Sequence, residues 1–92
     1  MTDDVRLTAW VRGRVQGVGF RYWARARAAE LGLRDWATNL DDGRVEVLVE
    51  GPREACARML ELLGGPGAPG RVTGVTERWS SARGGLAGFG VR

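Results

Sequence analysis

Histidine and lysine are both missing from this chain of 92 residues, and cysteine occurs once, at Cys56. Without histidine there can be no Ser-His-Asp triad, no imidazole base near neutral pH and no histidine-based metal site. A single cysteine excludes an intramolecular disulfide and a cysteine metal cluster. No cofactor or metal is therefore expected. Long apolar runs are also missing: nothing approaches the roughly 18 residues of a membrane span. The first residues, Met1-Thr2-Asp3-Asp4, lack the basic and apolar regions of a secretory leader, so a cytoplasmic address and no membrane partner are expected. Consecutive basic residues do not occur. All 14 basic residues are arginine, interspersed with 11 acids for a net charge of +3, and nucleic acid is not an expected partner.

The residues present are those of an ordinary folded protein, 43% apolar and 27% charged. Their number supports one domain over 1–92, expected to be a monomer. Val5 to Arg12 alternates strictly, with Val5, Leu7, Ala9 and Val11 on one face, and predicts a strand. From Phe20 the period becomes helical through Trp23, Ala24, Ala28 and Leu31, predicting a helix over Arg21 to Leu31 stopped by Gly32. A short strand from Leu33 to Asn39, the turn Asp41-Asp42-Gly43 and a strand from Arg44 to Glu50 form a hairpin. Pro52 suits the first position of a second helix, whose stripe is Ala55, Met59, Leu62 and Leu63, with Cys56 at its margin as packing. Residues 64–70, rich in Gly and Pro, must be a loop. Val72 to Trp79 predicts a fourth strand, Ser80 to Gly85 a turn region, and Leu86 to Arg92 a short terminal strand with Phe89 and Val91.

This order, βαββαβ with a short C-terminal strand, is the α+β, ferredoxin-like sandwich. A mostly antiparallel sheet should carry two helices on one face. Right-handed crossover makes the first two strands parallel, with the third inserted between them.

Between the first strand and first helix lies Gly13-Arg14-Val15-Gln16-Gly17-Val18-Gly19-Phe20-Arg21. Strand, glycine loop and helix start together aim backbone N–H groups at an anion, and Arg14 and Arg21 add guanidinium groups suited to phosphate. A plain strand-to-helix turn is the alternative. It is not a nucleotide P-loop, because the Gly-Lys-Ser/Thr ending is missing. Arg21 opposes the helix dipole by a few tenths of a kcal/mol, which an anionic ligand would offset. The helix carries the chain roughly 15 Å away from the loop, and the second strand returns it by roughly 20 Å. Asn39 should thus reach the same sheet edge as Arg21, although asparagine there also suits the hairpin turn.

The segment 13–21 resembles the signature of the acylphosphatases. Trp36-Ala37-Thr38-Asn39-Leu40-Asp41-Asp42-Gly43-Arg44-Val45-Glu46-Val47 is similar to that family's second motif, and Glu50-Gly51-Pro52 and Phe89-Gly90-Val91-Arg92 match it too. The resemblance spans nearly the whole chain. It implies metal-independent hydrolysis of a small-molecule acyl phosphate to a carboxylate and inorganic phosphate. By motif position, Arg21 would bind the phosphate and Asn39 would orient water. The N–H groups of Val15, Gln16, Gly17, Val18, Gly19 and Phe20 would cradle the oxygens, with Arg14 beside them. Asp35 and Thr38 depart from the family, which more often has glycine and a basic residue there; Asp35 is expected on a solvated face.

Two other readings stand beside this one. A ferredoxin-like sheet can bind RNA, but the third strand, Arg-Val-Glu-Val-Leu-Val-Glu, carries no aromatic for base stacking and two acids. A non-catalytic phosphate or carbamoyl-phosphate-handling module would have to be a stand-alone version.

Overall fold

The computed structural model describes residues 4–83 and 89–91. Strand β1 (Asp4–Arg14) leads to helix α1 (Phe20–Glu30), then β2 (Arg34–Asn39) and β3 (Val45–Pro52). Helix α2 (Arg53–Leu63), β4 (Arg71–Ser81) and β5 (Phe89–Val91) complete the order. The sheet runs β4-β1-β3-β2-β5. Both β1 and β2 pair antiparallel with β3, so they run parallel to each other with β3 between them, as the crossover rule requires. Strand β5 pairs parallel with β2.

Alternation in β1 and β3 builds the core. Leu7, Ala9 and Val11 lie opposite Val49, Val47 and Val45, and all six are fully buried. Phe20, Ala24 and Ala28 of α1 and Cys56, Met59 and Leu63 of α2 cover that face. Burying a side chain of the size of Leu, Val or Phe is worth about 1.5–3 kcal/mol, so these rows hold the sheet and helices together. Cys56 is at the centre of its helix stripe, not the margin, because α2 places it one turn before Met59. Burial, and then the charge of Asp4, push its thiol up to about 11, leaving a neutral packing group.

Three further local expectations are corrected. Pro52 ends β3 and caps α2, which begins at Arg53. Its φ of −58° suits a helix, but its ψ of 141° keeps it extended. Ser80 and Ser81 are strand, not turn, because β1 extends to pair with them: Arg6 faces Ser80 and Val5 faces Ser81. Residues 84 and 85 of that expected turn, 86–88 of the expected terminal strand, and Arg92 lie outside the described residues. Asp35 is not on a solvated face. It is fully buried, because it shares with Ala37 the row of β2 that faces the helices, opposite Val49 and Val47.

Candidate active site

At its C-terminal end β1 is bent. The register with β4 shifts between Arg12 and Gly13, and Gly13 has a φ of 128°. A side chain on Gly13 would collide with the carbonyl of Arg71. A side chain on Gly70, in the connection after α2, would likewise collide with the carbonyl of Arg14 and crowd Val18. These two contacts press residues 70–71 against the start of the glycine loop and hold its shape from one side. Arg14 is the last residue of β1, exposed and opposite Arg71, so it stands on the β4 side of the loop.

Val15 then turns into the core, where it is buried. Residues 16–19 form the turn, and Gly17 and Gly19 both take left-handed φ values, 76° and 81°. Gly19 is the N-cap of α1, and no side chain of the described residues caps the helix. Its first turn holds no acid; it holds Arg21, half-buried and forming no ion pair among the described residues. Among the described residues, no backbone hydrogen bond of a turn, loop or cap uses the N–H groups of Gln16 to Arg21. A helix start with free amides, no acid and a cation in its first turn is built to receive an anion.

The other side of the loop is held by Gln16. Its Nε2 donates to the Leu40 carbonyl at 2.7 Å and to the Arg44 carbonyl at 3.0 Å. Those carbonyls belong to the β2–β3 turn. There Leu40 N–H donates to Arg44 O at 2.8 Å and Gly43 N–H to Leu40 O at 3.1 Å. Asp42 forms the turn rather than an acid pair with Asp41. It accepts from Arg44 N–H at 3.0 Å and Arg44 Nε at 2.8 Å, the amide bond first among the causes that hold its carboxyl below the ordinary range. The glycine loop and the end of β2 thus meet, as the strand and helix lengths require.

Asn39 is the last residue of β2, opposite Val45 and on the same helix-facing row as Ala37. Its Oδ1 is buried and accepts no hydrogen bond among the described residues. Buried acceptors are nearly always paired, and an unpaired one costs about 1–3 kcal/mol. Side-chain pairing by Gln16 is the feature that sequence reasoning missed, since it assigned that residue only a backbone role. A glutamine between two glycines, in a loop with no helix or strand face to serve, was the available signal.

Comparison with known proteins points one way. The acylphosphatase family model matches residues 7–91. The chain is 68% identical over 90 residues to an acylphosphatase of Acidothermus cellulolyticus, covering 95% of this chain and 86% of that one. It is 61% identical to an acylphosphatase of Streptomyces coelicolor over the full length of both. The crystal structure of the Bacillus subtilis acylphosphatase matches with a TM-score of 0.84 at 37% identity, covering 96% of this chain and 98% of that one.

Proposed function

The chain belongs to the acylphosphatase family, enzymes that hydrolyse acyl phosphates, and on that premise we propose how its residues carry out the reaction. The phosphate end of the substrate sits on the N–H groups of the 15–20 loop and the start of α1, with the Arg21 guanidinium against its oxygens. The observation that carries this reading is the uncapped, acid-free start of α1, preceded by left-handed Gly17 and Gly19 and followed by Arg21. Asn39, whose Oδ1 has no donor among the described residues, accepts a hydrogen from the attacking water.

Water oxygen bonds to phosphorus as the bond from phosphorus to the acyl oxygen breaks. The electron pair leaves with the carboxylate, a good leaving group that needs no protonation. One water hydrogen remains on the new phosphate oxygen and the other passes to a neighbouring phosphate oxygen, giving dihydrogen phosphate. This chain has no histidine to act as base, and substrate-assisted transfer removes the need for one. Charge building on the phosphoryl oxygens is met by pre-set amides and by Arg21, the main catalytic contribution in this kind of site. Neither step calls for a metal.

Hydrolysis of benzoyl phosphate in the presence of a strong chelator tests the proposal. Turnover that chelation leaves unchanged is expected. No turnover by folded protein would overturn the reading, and turnover abolished by chelator would overturn its metal independence.

A further inference from the structure

We propose that Gln16 is a positioning residue, whose side chain sets Asn39 relative to the phosphate loop. The inference rests on the reading that Arg21 and Asn39 form the hydrolytic site. A glutamine amide has two N–H donors, and Gln16 directs its Nε2 to two carbonyls of one turn, Leu40 O and Arg44 O. Both carbonyls already accept from the turn's own N–H groups, so Gln16 completes their second lone pairs and locks the turn's shape. Leu40 is peptide-bonded to Asn39, and Asn39 opposite Val45 is the last pair of the β2–β3 ladder. Beyond that pair the chain is held by the turn's own two hydrogen bonds, and the Gln16 amide adds two more from the glycine loop.

The same chemistry argues against Gln16 binding phosphate through its side chain. With its amide hydrogens directed to carbonyls, the group left over is Oε1, an acceptor that a phosphate oxygen repels. Gln16 therefore joins the two halves of the site: its backbone belongs to the loop before α1, and its side chain grips the turn after Asn39.

The test is Gln16→Met, which keeps length and loses both donors, made alone and together with Asn39→Ala. With benzoyl phosphate, Gln16→Met should lower kcat by about 10- to 100-fold, the scale of a misplacement of about 1 Å. Inhibition by inorganic phosphate should stay within about threefold, since the loop amides and Arg21 remain. In the Asn39→Ala background Gln16→Met should change kcat by less than about threefold, because no amide is left to place. Wild-type kcat in Gln16→Met, an equal loss in both backgrounds, or a loss confined to phosphate affinity would each overturn the assignment. Should Gln16→Met fail to fold, Gln16→Asn, whose amide stops one methylene short of the carbonyls, is read by the same criteria. If Asn39→Ala alone keeps wild-type kcat, the site reading has failed; if it loses kcat without coupling to Gln16, only the positioning role falls.

Discussion

Arg21 and Asn39 sit on different elements and are exposed to different costs. Arg21 is half-buried in the first turn of α1 without an ion pair among the described residues, where its charge opposes the helix dipole. Removing it should leave the fold intact or stabilise it by a few tenths of a kcal/mol. Arg21→Ala should nonetheless cut kcat/KM for benzoyl phosphate by at least about 100-fold, the usual loss when one donor to a developing oxyanion is deleted. Asn39→Ala should lower kcat more than it weakens phosphate inhibition, because the amide addresses water. Steady-state kinetics with phosphate as competing product separates the two. Equal, wild-type rates in both variants would place the chemistry elsewhere. Gln16 shows the limit of reading single residues: its position in the loop motif was visible, but not the two carbonyls, 24 and 28 positions away, that its side chain reaches.

Among the elements, the connection from α2 to β4 has a larger part than a Gly- and Pro-rich loop suggests. Gly70 has a φ of 74°, and a Cβ there would strike the Arg14 carbonyl and approach Val18. Gly67 has nothing within 4 Å of the same position. Gly70→Ala should therefore destabilise by about 2–4 kcal/mol, combining a left-handed alanine with a backbone clash. Gly67→Ala should stay within about 0.5 kcal/mol of wild type. Urea unfolding checks both, and equal stabilities would show that the loop does not brace the glycine turn. Composition identified 64–70 as irregular but could not show which glycine meets another backbone, since that contact joins segments over fifty residues apart.

Across the whole molecule, buried polar groups are satisfied to different degrees. At the far end Glu50 is fully buried, yet it accepts from Arg6 Nε at 2.7 Å and from Arg83 N–H at 2.8 Å, with Arg34 at 3.5 Å. At the loop end, Asn39 Oδ1 is buried and unpaired among the described residues. Asp35 lies beneath α1, its oxygens without hydrogen-bond partners among the described residues, and burial, partly offset by the Arg25 charge, raises its pKa to about 6. A carboxyl with a raised pKa binds its proton more tightly folded than unfolded. The fold therefore carries the full cost of the buried charge above about pH 6, and sheds it as pH falls toward the ordinary value of 3.8. A rise of that size corresponds to about 3 kcal/mol. Asp35→Asn lacks this titration, so its stability relative to wild type should be greatest near pH 8. That margin should shrink between pH 6 and 4, by up to about 3 kcal/mol in chemical denaturation. A difference independent of pH would show that Asp35 keeps an ordinary pKa.

Two regularities of the sequence determined much of this protein by themselves. Period-two valines and a period-four helix stripe specify βαββαβ order, because each element must bury one face and the crossover has one favoured hand. The glycine loop before α1 and Asn39 before the Asp-Gly turn were visible as motifs, since special backbone angles demand particular residues. Tertiary structure alone decided the rest. Pairing with β1 made Ser80 and Ser81 strand, and the weak alternation of β2 buried Asp35 because α1 covers that row. The grip of Gln16 on the β2–β3 turn likewise exists only once helix α1 and strand β2 have returned the chain to its starting edge. Local patterns record which residues prefer which backbone; which side chain meets which carbonyl depends on packing between segments distant in the chain.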